Sequence, residues 1–224
     1  MAQAALTGAE ARRAARNAGA IAAARVISSG VLFIWQLILG RTLGVAEFGI
    51  YGAVNALFSI GATVTSFSLS LIIIRDVARR PDTAGRYLSA ALVFQTILAL
   101  IAYAGINLLA TNYDEAARAY VAIAGISLFI DMVGNLAYDQ LLAQERMVTT
   151  SAVEVGHIAA RIGLAGAALI AGWGLLGVYA VTLLTGIGRS AVLWWSLRRT
   201  GVHPVWRVDP TIARPMLINA APLA

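Results

Sequence analysis

The chain has 224 residues, 59% hydrophobic and 12% charged, against roughly 25% charged in an ordinary soluble domain, which excludes a soluble globular fold of this length. The net charge of +6 comes from 17 basic residues, all arginine, but they sit in short links between apolar runs, which argues for membrane orientation and against nucleic acid as a partner. With no cysteine and two well-separated histidines, His157 and His203, disulfides, thiol chemistry and His/Cys metal clusters are excluded, and neither cofactor nor metal is expected.

Residues 1–19 carry Arg12, Arg13 and Arg16 and read as a cytoplasmic amphipathic lead-in. The apolar run from Ala20 contains Arg25, continues to Leu39 and offers no small-residue cleavage site. It is therefore expected to be an uncleaved first span, not a signal peptide. Five further runs follow: Tyr51–Ile74, Tyr87–Ala110, Ala119–Leu142, Thr150–Ala171 and Leu175–Leu197. At 1.5 Å per residue, each of about 20 residues reaches across ~30 Å of hydrocarbon. A backbone in hydrocarbon must satisfy its own hydrogen bonds, so the runs are helices. The expected fold is an all-α membrane protein with six transmembrane helices in one bundle over residues 20–197. A basic cytoplasmic linker, 198–214, leads to the start of a seventh run at 215–224, too short to span and expected to be truncated.

Assigning the links alternately to two sides places thirteen arginines on the side of the N-terminus and only Arg41 and Arg118 on the other. That asymmetry puts the N-terminus in the cytoplasm of a multi-pass protein of the cell membrane. Gly172-Trp173-Gly174-Leu175-Leu176-Gly177 matches G-x-G-x-x-G. It bridges two spans, with neither the preceding strand nor the later acidic residue that dinucleotide binding needs.

Polar residues are unfavourable against lipid, so their placement is informative. Within the spans they fall on helical stripes: Arg25, Ser29 and Gln36 in the first; Asn55, Ser59, Thr63, Ser66 and Ser70 in the second; Ser127, Asp131, Asn135 and Tyr138 in the fourth; Glu154, His157 and Arg161 in the fifth; Thr182, Thr185, Gly186 and Arg189 in the sixth. Residues so spaced share one side of a helix. Facing those sides inward makes a hydrated interior; the alternative is that Ser and Thr bond their own backbones or knit helices together. The fourth and fifth spans turn near Arg146, and Asp131 and Arg161 lie equally far from that point, so an Asp131–Arg161 ion pair near mid-depth is expected. Glu154 and His157, one turn apart, are a candidate proton relay. No nucleophile–base constellation is visible, so no enzymatic reaction is expected.

Between the first two spans stand Arg41, Leu43, Gly44, Phe48, Gly49 and Tyr51, in the pattern R-x-L-G-x-x-x-F-G-x-Y, and the second span closes on Arg75-Asp76 and Arg79-Arg80. This resembles the start of the Wzx-type polysaccharide flippases of the multidrug/oligosaccharidyl-lipid/polysaccharide exporter superfamily. The resemblance implies two helical lobes around a central cavity, with the chain supplying the N-terminal lobe of about twelve to fourteen spans. It also implies a flippase moving a polyprenyl-pyrophosphate-linked oligosaccharide for polysaccharide biosynthesis. The partners would be the bilayer, that substrate, and either a C-terminal lobe or a second chain. Arg25, Asn55, Ser59, Asp131, Asn135, Arg161 and Arg189 are the expected substrate-path residues, because a guanidinium matches phosphate oxygens. Alternatives are a multidrug or other small-molecule exporter of the same superfamily, a membrane-embedded enzyme of envelope synthesis, or a structural subunit.

Overall fold

The computed structural model describes residues 8–67, 69–205, 209, 211–213 and 215–216, with side chains from residue 30 onward except 32. In chain order the elements are α1 (Gly8–Ser66), α2 (Leu69–Arg79), a 3-10 turn (Pro81–Thr83), α3 (Ala84–Ala110), α4 (Glu115–Ala143), α5 (Met147–Ile170) and α6 (Gly174–Arg198). The described residues contain no strand. Five segments among them are long and apolar enough to cross a membrane: Phe33–Arg79, Pro81–Ala110, Glu115–Ala143, Met147–Ile170 and Gly174–Arg198. The last four match the expected third to sixth spans. The expected first span lies within α1, but its side chains up to residue 29 fall outside the described residues. The run from 217 to 224 lies outside them altogether.

Two boundaries differ from the sequence reading. The link expected over Gly40–Ile50 is helical except at Gly44, which adopts φ 73° and ψ 174°. Its leucine, arginine, alanine and glutamate are good helix formers, and a single glycine supplies the break because it reaches positive φ without a Cβ clash. The expected span Tyr51–Ile74 is interrupted at Phe67, with φ 39°. Just before it, Thr65 and Ser66 donate their hydroxyls to the carbonyls of Gly61 and Thr63, the kind of back-bonding that bends helices. The Phe67 ring then packs edge-on against Phe94 at 5.9 Å.

The chain divides into two units, residues 1–48 and 49–224. In the first, Gly40 lies against the Phe48 ring and Thr42 donates to the Ile38 carbonyl at 2.8 Å. The second is built around α4. The α3–α4 hairpin is antiparallel, with Tyr103 against Phe129 at one end and Gln140 donating to the Ala84 carbonyl at the other. On its other flank α4 runs parallel to α6: Tyr120 stacks on Tyr179, Ser190 donates to the Ile130 carbonyl, and the Trp194 indole donates to the Val133 carbonyl. Helix α5 packs mainly on α6 and only slightly on α4.

The fully buried apolar core sits toward one end, from Leu69, Ile72 and Ile73 of α2 through Leu88, Leu136 and Leu141 to Leu193 and Leu197. The perimeter is also apolar. Val93, Ile97, Leu100, Ile101 and Leu108 are exposed along α3, as are Leu164, Leu176, Leu184 and Ile187 on α5 and α6. Contiguous apolar surface on this scale suits acyl chains as solvent, not water. After α6 the chain reverses at Gly201 and returns across the start of α3, where the Val205 N–H donates to Ser89 Oγ at 2.7 Å. Gly85 permits this approach, since a Cβ there would lie 2.5 Å from the His203 carbonyl oxygen.

Candidate functional site

The parallel packing of α6 on α4 and its antiparallel packing on α5 bring three polar stripes together at Arg189. Its Nε donates to Glu154 Oε1 at 2.6 Å and its Nη2 to the same carboxylate oxygen and to Asn135 Oδ1, the latter at 2.9 Å. The guanidinium carbon lies 5.9 Å from the Tyr138 ring centre. The Arg189 side chain is 8% exposed and that of Glu154 29%. One arginine therefore ties α4, α5 and α6 together. Gly134 makes room for it, because a Cβ at that position would collide with Ser190 Oγ and crowd Arg189 Nη1.

Beside this clamp lies a cavity of about 90 Å³ lined by Asn55, Ser127, Asp131, His157, Arg161, Tyr179 and Thr182, with Gly186 and apolar neighbours. Asp131 also borders a second cavity, of about 50 Å³, lined by Thr65, Ser66, Ser70, Gln95 and Asn135. Its polar walls and volume suit the first cavity to a few water molecules, at ~30 Å³ per liquid water. The Tyr179 hydroxyl is buried without a hydrogen-bond partner among the described residues.

Of the expected path residues, Asn55, Asp131 and Arg161 meet at the first cavity, and Asn135 and Arg189 join in the clamp. Ser59 is exposed and donates to the Asn55 carbonyl at 2.9 Å, while Asn55 Nδ2 donates to the Tyr51 carbonyl at 2.9 Å. The Ser/Thr stripe of this helix thus bonds its own backbone. The side chain of Arg25 lies outside the described residues. The expected Asp131–Arg161 ion pair is not formed among the described residues; the pair that forms is Arg189–Glu154. Hairpin arithmetic set the heights of Asp131 and Arg161 well enough for them to share a cavity, but α5 leans on α6 and away from α4. Glu154 is held by Arg189, while His157 Nδ1 is buried without a hydrogen-bond partner among the described residues.

The polar stripes did not reveal the cluster of Tyr51, Tyr120 and Tyr179, whose rings lie 6.2 Å and 5.4 Å apart around Tyr179. The signal was one tyrosine near the same end of each of three helices. Asp139 and Gln140, both buried, each leave one side-chain oxygen without a partner among the described residues. No group of acidic and histidine side chains among the described residues is placed to hold a metal ion.

A polar interior joined by the Arg189–Glu154 clamp and wrapped in apolar helices defines a multi-pass helical membrane protein. Over residues 14–219 the chain matches the family described as polysaccharide biosynthesis protein. It belongs to that family, the one containing the Wzx-type flippases that the Arg41–Tyr51 pattern resembles. No curated protein and no solved structure gives a match.

Proposed function

We propose that the protein is a flippase that carries a polyprenyl-pyrophosphate-linked oligosaccharide across the cell membrane for polysaccharide biosynthesis, without covalent chemistry. The observation that carries this reading is Arg161, a guanidinium lining a polar interior cavity with no ion pair among the described residues. Such a group stays charged when partly desolvated and offers a fork of donors to phosphate oxygens. The thirteen arginines on one side favour a cytoplasmic N-terminus.

Size constrains the route. Small-molecule sites usually occupy ~300–1,000 Å³, so a cavity of about 90 Å³ cannot enclose a saccharide headgroup. The saccharide would instead pass along the exposed polar face marked by Ser59, Thr63 and Asn135, with its phosphates engaging Arg161 and the lipid tail left in the bilayer. That face needs an opposing wall, supplied by a C-terminal lobe or a second chain. Transport also needs two states that the substrate binds differently, which movement between two walls provides.

Reconstituted into liposomes with its opposing wall, the protein is expected to expose a labelled lipid-linked oligosaccharide on the far leaflet. Arg161→Ala is expected to abolish most of that flux while leaving the protein folded. Full flux in Arg161→Ala would refute the role given to this guanidinium. A second reading, export of amphipathic small molecules, is favoured by the tyrosine cluster and Asp131 at the cavity. Flux of an aromatic cation, with none of the lipid-linked saccharide, would select it.

A further inference from the structure

At the end of the helices where α2 passes into α3, a groove of about 520 Å³ lies among Asp76, Arg79, Arg80, Arg86 and Tyr87, with Thr211, Ile212 and Pro215 of the returning tail. Its charges do not balance. Asp76 is engaged by Arg75 Nε at 2.7 Å and by the Tyr87 hydroxyl at 3.1 Å. Arg86 pairs with Asp209 at 3.4 Å. The nearby Asp82 does not line the groove and forms no ion pair among the described residues. The hydroxyls of Thr83 and Thr211 donate to the Arg80 carbonyl and to Asp209. Arg79 and Arg80 are left without an ion pair among the described residues, both bordering an open groove.

The groove also sits at a defined depth. Arg79 ends one membrane-crossing segment and Pro81 begins the next, so the two guanidinium groups lie where an apolar helix leaves hydrocarbon and phosphates are concentrated. Ile212 and Pro215 give the groove an apolar wall, suited to the glycerol end of a lipid. We propose that this groove binds the phosphate of an anionic phospholipid headgroup through Arg79 and Arg80. The site is separate from the interior cavity, and its failure would leave the transport reading untouched.

The test uses the purified full chain in phosphatidylcholine nanodiscs with increasing phosphatidylglycerol, read by thermal unfolding. Phosphatidylglycerol is expected to raise the unfolding temperature of the wild type. Arg79→Gln and Arg80→Gln should each weaken the apparent lipid affinity about fivefold, and the double variant about 30-fold. A control pair, Arg198→Gln with Arg199→Gln, removes the same charge from the end of α6 outside the groove and should leave the lipid effect in place. Equal loss in the control pair would overturn the proposal in favour of diffuse surface charge. Absence of any phosphatidylglycerol effect would overturn it outright. Equal stabilisation by inorganic phosphate or pyrophosphate in pure phosphatidylcholine discs would assign the groove to a soluble anion and overturn the lipid source. The single variants keep the test decisive if the double variant fails to fold.

Discussion

Replacing Arg189 by glutamine removes two donors from Glu154 and one from Asn135 and leaves a carboxylate with most of its surface covered. Breaking a buried ion pair from one side costs ~3–5 kcal/mol. Glu154 keeps 29% exposure, so the lower end applies and Arg189→Gln is expected to destabilise by about 3 kcal/mol. Glu154→Gln strands a cation whose side chain is only 8% exposed and is expected to cost at least as much, about 3 kcal/mol. The double variant strands neither charge, so its cost should be about 3 kcal/mol, not the sum of about 6, a coupling near 3 kcal/mol. Equilibrium unfolding of the four proteins in one lipid or detergent mixture measures the cycle. Costs that add to within ~0.5 kcal/mol would show that the two side chains do not act together and would refute the clamp.

The glycines of the α4–α6 contact should respond in opposite directions. Gly134→Ala pushes a methyl into Ser190 and Arg189 and is expected to cost ~1–3 kcal/mol by overpacking. At Gly186 the nearest atom is Ile130 Cγ2 at 3.5 Å, ordinary contact, so Gly186→Ala should be neutral or stabilising by up to ~1 kcal/mol; unfolding curves compare the two. Asp209 accepts hydrogen bonds from the Thr211 hydroxyl and N–H, and these, with Arg86 nearby, hold its carboxyl below the usual carboxylate range. A lowered folded pKa gives stabilisation that is present above about pH 4 and is lost as pH falls through the folded value. Hydrogen exchange at Thr211 should therefore quicken in acid, beyond the intrinsic pH effect, and Asp209→Asn should remove that dependence.

The helices and their polar sides were legible because a 3.6-residue period survives in the sequence wherever one face avoids lipid. Asn135, Glu154 and Arg189 were each placed on an inward stripe for that reason, and they do meet. Which stripes touch was not legible. Counting residues from a turn fixes height along a helix but not the direction in which it leans, so Asp131 was paired with Arg161 although α6 packs against both α4 and α5. The tyrosine cluster was not legible because its members come from three distant stretches and no single-helix stripe joins them. The stretch around Gly44 reads as a link because glycines punctuate it between two apolar runs, with arginine and glutamate among them. Those residues are good helix formers, and the break needs only one residue.

The central claim is that the polar faces of these helices look onto water and the apolar faces onto lipid. The chain has no cysteine, so single cysteines can be placed on a silent background and challenged with a membrane-impermeant thiol reagent in intact membranes. Ser59 and Asn135 lie on the exposed polar face, Ile97 and Leu100 on the apolar perimeter of α3. Cysteine at the first two should react and at the last two should stay protected. Reaction at residues 97 and 100 with protection at 59 and 135 would contradict the account.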